Sequence, residues 1–239
     1  MSNSFITNSD LKILKERINT LVTASSELKF LVGFFYFSGI KELYESLKNN
    51  HDVTVKVLVG LNVDKWNEKI IEFADAEDEK GSLSNDAIRK KFFNSIKKSI
   101  NTELYDTKEF YEQVKFFIEL INNNRLHIRK TLKPNHSKLY IFKLSSNQIG
   151  RNSLFITGSS NLTSSGLTTQ EEFNVEISDY GVVEAENYFD DLWEKSVKIT
   201  EDNETKKSLI NIIEKETLIK AITPFEAYVL ALKIYLDSF

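Results

Sequence analysis

The chain has 239 residues, 41% of them apolar and 28% charged, which is ordinary for a globular protein and enough for one well-cored domain. It has no cysteine, which excludes disulfides, thiolate metal sites and a cysteine nucleophile together. Its net charge of −4 does not by itself point to nucleic acid, so any anionic partner has to be read from the distribution of charge.

Residues 1–13 lack a basic segment followed by an apolar core, so no signal peptide is expected and the cytoplasm is the default location. Asn8-Ser9-Asp10 offers caps for a first helix, with Leu11, Leu14, Ile18 and Leu21 at helical spacing. The apolar run Phe30 to Phe37 is too short to span a membrane and lies between Lys29 and Lys41. Lys29 to Phe37 reads as a buried strand, Ser38-Gly39 as its end, and Ile40 to Leu47 as a helix. Val53 to Val59 reads as a second strand stopped by Gly60. Strand, helix and strand in this order predict a parallel pair with a right-handed crossover.

Asp75 to Lys91 is charged and broken by Gly81 and Ser84-Asn85, and is expected to be a loop leading into helices. Ile88 to Ile121 reads as a long helical stretch, with Phe92, Ile96 and Ile100, then Phe110, Val114, Phe117 and Ile121, on its apolar face. Leu126 to Ile128 predicts a short strand, followed by three more at Lys138 to Phe142, Ser153 to Thr157 and Phe173 to Ile177. Val183 to Val197 predicts an amphipathic helix carrying Trp193. Leu209 to Ile222 predicts another, and Thr223-Pro224 starts a last helix over Phe225 to Phe239.

The charge is unevenly spread. Between Glu119 and Glu171 there is no acidic residue, while Arg125, Arg129, Lys130, Lys133, Lys138, Lys143 and Arg151 all fall in that window. A basic island in an acidic body is the expected footprint of a phosphate-bearing ligand.

The same window holds the residues that carry chemistry. His136 and Lys138 lie two apart at a strand start, so both side chains point to one face. The next strand ends at Gly158, and the turn Ser159-Ser160-Asn161 brings hydroxyls and an amide to the same edge. Glu171-Glu172 delivers a carboxylate with the strand after that. Imidazole is a nucleophile or an acid and base near neutral pH. Lysine and asparagine can hold phosphate oxygens, and a carboxylate can orient the imidazole.

His136-x-Lys138, Gly158-Ser159-x-Asn161 and the downstream glutamate resemble the phospholipase D superfamily, whose mark is H-x-K-x4-D, then G-S-x-N, then Glu. Glu172 lies eleven residues after Asn161, the interval of that superfamily's small bacterial nucleases, and is preferred over Glu171. The motif's aspartate position is Lys143, a departure that resembles the nuclease branch and argues against a typical lipid-hydrolysing member. The resemblance spans roughly residues 30–197.

The resemblance implies an α/β fold, a three-layer α/β/α sandwich around a mixed, largely parallel sheet. It implies His136, Lys138, Ser159, Asn161 and Glu172 as catalytic residues. Lys133, Lys143, Arg151 and Ser160 are the expected substrate contacts. No metal and no cofactor are expected. Two H-x-K motifs share one site in this superfamily, and only one occurs here: His51 has no lysine two residues on, and His127 is followed by Arg129. A homodimer is therefore expected to complete a site that cleaves nucleic acid, DNA foremost, through a phosphohistidine, away from any membrane.

Gly33 to Ile40, with Val55 to Gly60, resembles the opening of such domains attached to helicases or restriction enzymes, and Ile222 to Tyr228 resembles the segment that leaves such a domain before a helicase core. Residues 1–200 are thus expected to form the catalytic domain and 201–239 a helical extension toward a helicase or DNA-recognition domain. No nucleotide-binding GxxxxGK[ST] occurs in the chain. Two alternatives stay open, a non-catalytic DNA-binding or dimerisation module and a phospholipid-acting enzyme.

Overall fold

Runs of β-branched and aromatic residues build the middle of an eight-stranded sheet. A computed structural model describes residues 5–9, 13–66, 69–73, 83–101, 108–145, 152–217 and 224–237. The strands are β1 (Phe5–Ile6), β2 (Ser25–Val32), β3 (Thr54–Val59), β6 (Leu126–Lys130), β7 (Leu139–Leu144), β8 (Ser153–Gly158), β9 (Asn174–Ile177) and β10 (Val197–Lys198), with β4 (Asn62–Trp66) and β5 (Lys69–Phe73) paired as a separate hairpin. The helices are α1 (Leu14–Thr23), α2 (Phe37–Lys41), α3 (Tyr44–Asn49), α4 (Asn85–Asn101), α5 (Lys108–Asn122), α6 (Ser164–Thr168), α7 (Val182–Glu194), α8 (Asn203–Glu216) and α9 (Pro224–Leu236).

The sheet order is β1-β9-β8-β7-β2-β3-β6-β10. The sheet is mixed, as expected, but its parallel share is smaller than expected. Parallel pairing is confined to β2–β3 and β3–β6, and every other neighbour pair is antiparallel. The reason lies in the connections. β7 and β8 are joined by residues 145–152, too few for a helical crossover, so they return antiparallel, and the β8–β9 connection carries only the short α6.

Alternation along β2 divides the core in two. Leu28, Phe30 and Val32 face a large cluster with Ile18, Val55, Val57, Phe92, Val114, Phe117 and Tyr140. Leu31 faces the other side, with Leu58, Leu139, Ile141 and Phe155, beneath Phe189 and Trp193 of α7. Helices thus cover both faces, which is the expected sandwich.

Several boundaries differ from expectation. β2 ends at Val32, not Phe37, because the chain leaves the sheet at Gly33 and α2 already begins at Phe37. The expected helix over Ile40 to Leu47 is divided between α2 and α3. The long stretch to Ile121 contains α4 and α5, with residues 102–107 outside the described set. The expected loop over Asp75 to Lys91 is already α4 from Asn85 onward, and residues 75–82 lie outside the described set. α1 starts at Leu14, whose amide donates to Asn8 Oδ1 at 2.9 Å, so Asn8 caps from upstream. Leu209 and Ile213 of α8 are buried in the large cluster, so the core of the sheet domain reaches past residue 200. On α9, Phe225, Tyr228, Ile234, Tyr235 and Leu236 are exposed. Among the described residues no helix is long and apolar enough to cross a membrane.

Beneath α7, Arg129 is nearly buried and its guanidinium pairs with the Glu201 carboxylate, one contact being 2.8 Å, while a third nitrogen donates to the Trp193 carbonyl at 2.7 Å. Burial alone would push the Glu201 carboxyl up, but the bond and charge of Arg129 prevail and hold it below the usual carboxylate range. A carboxyl depressed in the folded state contributes stability above its unfolded value and loses it as pH falls through the folded one. Glu201→Gln should therefore cost on the order of 2–3 kcal/mol at neutral pH, below the cost for a fully buried pair because Glu201 is 25% exposed. In urea denaturation the gap between wild type and variant should close as the pH is lowered below the carboxylate range.

Candidate active site

The end of the loop between β6 and β7 carries the key pair. His136 is exposed, and Lys138, two residues on, is only 9% exposed. Lys138 Nζ lies 2.7 Å from His136 Nδ1 and donates to the His136 carbonyl at 2.8 Å. An ammonium can only donate, so at this contact Nδ1 accepts and a neutral ring carries its proton on Nε2. The fully buried Phe34 meets the imidazole edge-on, with ring centroids 5.9 Å apart. Thr157 of β8 donates its hydroxyl to the Lys138 carbonyl at 2.8 Å, fixing β8 beside the pair.

β8 ends at Gly158, where a Cβ would fall 2.2 Å from the Phe173 carbonyl oxygen; only glycine permits that approach. The turn that follows is held from below. The buried Asn174 amide donates to Ser160 Oγ at 2.9 Å, and its oxygen accepts from the Ser160 amide at 3.4 Å. Tyr140, fully buried in β7, donates its hydroxyl to the Ser160 carbonyl at 2.8 Å. Burial, with the nearby Glu172 charge, pushes the Tyr140 phenol far up, so it stays a neutral donor.

Above that anchor, Ser159 Oγ donates to the Glu172 carboxylate and accepts from the Phe173 amide at 3.1 Å. Asn161 Oδ1 accepts from the Phe34 amide at 3.3 Å. A Cβ on Gly33 would lie 3.1 Å from Asn161 Oδ1 and 3.8 Å from Lys138 Nζ, so the Asn161 amide and the Lys138 ammonium converge on one bare backbone position. His136, Lys138, Ser159, Asn161 and Glu172 thus gather at the edge formed by the start of β7 and the end of β8. Within one chain Glu172 is bonded to Ser159 and not to His136. Among the described residues no three His, Asp or Glu side chains are grouped as metal ligands.

The expected substrate contacts fare differently. Lys133 is exposed, on the loop that leads to His136. Lys143 sits five residues along β7 from Lys138, about 17 Å away at strand rise. There its ammonium pairs with Glu186 at 3.3 Å and Glu27 at 3.5 Å, so the structure does not bring it to this edge. Ser160 has no exposed surface and its hydroxyl is taken up by Asn174. Arg151 lies outside the described residues.

The acid-free window likewise does not make one basic surface. Arg125 donates to the carbonyls of Leu47 and Asn50, while Arg129 and Lys130 are buried.

Sequence reasoning missed Asn174, Tyr140, Phe34 and Gly33. The available signals were a tyrosine inside the apolar run Leu139 to Phe142 and an asparagine opening β9. Asn174→Ala leaves the Ser160 amide and hydroxyl unpaired in the interior. It should lower unfolding free energy by about 1–3 kcal/mol in urea denaturation.

The family described as "Cardiolipin synthase, PLD-like domain" matches residues 18–193. No curated protein sequence matches the chain. Among solved structures the chain is similar to NucT from Helicobacter pylori, with 11% identity over 82% of this chain and 97% of that one and a TM-score of 0.42. It is also similar to Nuc from Salmonella typhimurium, a phospholipase D family member, with 18% identity over 77% and 89% and a TM-score of 0.38. A third similarity is to phosphatidylserine synthase from Haemophilus influenzae Rd KW20, with 13% identity over 90% and 44% and a TM-score of 0.47. The family match takes in most of the chain and every residue of the His136–Glu172 edge, and the chain belongs to the phospholipase D-like domain family.

Proposed function

We propose that the chain is a metal-independent phosphodiesterase, a nuclease acting on DNA, whose site is completed by a second copy in a symmetric homodimer. One observation carries this reading: Lys138 Nζ stands 2.7 Å from the His136 imidazole, at the edge where Asn161 and the Ser159–Glu172 pair also converge. The eleven-residue interval from Asn161 to Glu172 favours the nuclease branch over lipid hydrolysis. Lys143 is accounted for by its pairing with Glu27 and Glu186, so its presence at the motif's aspartate position is no sign of a decayed site.

The chemistry needs one neutral imidazole with a free Nε2 and one imidazolium with a proton to give. The diester phosphate draws the Lys138 ammonium and the Asn161 amide onto its non-bridging oxygens, which stabilises the charge that develops there. Released from Lys138, one His136 takes its proton on Nδ1 and attacks phosphorus through Nε2, forming the N–P bond as the P–O bond to the leaving group breaks. The His136 of the second copy, as the imidazolium with a proton on each nitrogen, gives its Nε2 proton to the leaving oxygen and is left neutral. Water then attacks phosphorus, its proton passes to the same acid, and the N–P bond breaks to restore His136. Glu172 and Ser159 hold the carboxylate available to the protonated Nδ1.

A dimer suits the exposed apolar side chains beside the site, Phe5, Leu132, Phe173 and Tyr188. The exposed apolar side chains of α9 suit contact with a further domain, a helicase or DNA-recognition module, since a helix apolar on all sides is normally covered.

Three outcomes are expected. Cleavage of labelled single- or double-stranded DNA should persist in excess EDTA and fall to background in His136→Ala. Loss in EDTA, restored by Mg2+, would contradict the reading. Lys138→Met should lower kcat on the order of a hundredfold while the fold, followed by circular dichroism, stays intact. Sedimentation should show a dimer at micromolar concentration; an obligate monomer would leave His136 without its acid.

A further inference from the structure

Lys130 is out of keeping with its position. It closes β6 on the face that Ile128 gives to the large core cluster, where alternation calls for an apolar side chain. It is 4% exposed, and burying an ammonium is costly unless its bonds offset the lost hydration. A methionine or leucine would fill such a place without that cost. A local rule broken inside a well-packed core marks a functional constraint.

The ammonium is directed at the backbone beneath the catalytic loop. Lys130 Nζ donates to the Gly60 carbonyl at 3.0 Å and to the Thr131 carbonyl at 3.4 Å. The same Gly60 oxygen accepts the Asn135 amide at 3.1 Å and the Thr131 hydroxyl at 3.3 Å. A charge-assisted bond holds that oxygen in one place and so fixes the acceptor on which the Asn135 amide docks. The donor that matters is Asn135, the residue before His136. Asn135 Oδ1 in turn accepts the Ser137 amide at 2.8 Å, so bonds from Asn135 bracket His136 on both sides. Gly60 is itself fixed to the end of β2, its amide donating to the Val32 carbonyl at 2.8 Å, and the next amide, Leu61, donating to Gly33 at 2.7 Å. Gly33 is the position on which Lys138 and Asn161 converge.

We propose that Lys130 is a positioning residue for the active site: its buried ammonium gathers the Gly60 and Thr131 carbonyls under the loop and thereby sets the place of the His136 imidazole. The effect on turnover rests on the phosphodiesterase reading; the mooring of the loop does not. Lys130 is placed against backbone carbonyls and not against a reacting atom, and its path to His136 runs through Gly60 and Asn135. Its removal lets the loop drift while Lys138, next to β7 and pinned through its carbonyl by the Thr157 hydroxyl, stays.

Hydrogen exchange on the full chain, followed residue by residue, tests the mooring directly. In the wild type the Asn135 amide should be protected as a strand amide is; fast exchange there overturns the proposal. In Lys130→Met the Asn135 and Ser137 amides should exchange about tenfold faster or more while Val57 of β3 and Ile141 of β7 are unchanged. Unchanged Asn135 exchange, or equal acceleration across β3 and β7, means an ordinary structural lysine and sinks the idea. Lys130→Gln carries the same comparison if the methionine variant does not fold, and Lys130→Arg should restore protection. For DNA cleavage, kcat should fall on the order of tenfold to a hundredfold at unchanged KM, with Lys130→Arg recovering most of it. A wild type that cleaves no diester would defeat the functional reading and leave the exchange result to decide the role of Lys130.

Discussion

The contact between the Lys138 ammonium and the His136 imidazole is the interaction around which this structure is organised. It requires an exposed loop residue and a nearly buried one, the last before β7, to meet two positions apart at the one place where β7 enters the sheet. That entry is set by register. Leu139 lies opposite Leu31 on β2 and Thr157 on β8, and a slip of one residue would turn both His136 and Lys138 to the wrong face. The apolar side chains of β7 hold the register through packing, and the Thr157 hydroxyl pins the Lys138 carbonyl from the neighbouring strand.

The second half of the edge depends on a polar network buried in an apolar sheet. Asn174, Ser160 and Tyr140 satisfy one another with almost no contact with water. Such networks are costly when incomplete and rigid when complete. Here completeness matters because the turn above it, Ser159 to Asn161, has no regular secondary structure to shape it. The network converts an otherwise soft loop into a fixed platform for the Ser159–Glu172 pair and for the Asn161 amide. The loop before β7 is fixed differently, through backbone carbonyls at the end of β3, so the two sides of the site are secured by separate devices.

Much of this was legible in the sequence, and the parts that were not share a cause. His136, Lys138, Ser159, Asn161 and Glu172 could be read because they form a motif at fixed intervals. The parallel pairing of β2 and β3 followed from the strand, helix, strand order. The surplus of antiparallel pairs did not, because the length of a connecting loop is visible and the spatial neighbour of a strand is not. The acid-free window misled for the same reason. Cation density is a property of the sequence, whereas Arg129 finds Glu201 and Lys143 finds Glu27 and Glu186 only after folding. Asn174 and Tyr140 escaped notice because buried polar partners fourteen and twenty residues from Ser160 leave no local pattern. The hairpin of β4 and β5 was missed outright, since its charged residues break the alternation that marks a strand.

The central claim is that His136 becomes covalently bonded to phosphorus. Rapid mixing of the protein with a DNA oligonucleotide, quenching in alkali, in which phosphohistidine survives, and mass analysis of the proteolytic peptides would test it most directly. The account predicts a transient nucleotidyl adduct on the peptide containing His136, formed without added metal and at a rate matching cleavage. Cleavage that proceeds at full rate with no adduct at His136 at any time point would contradict it.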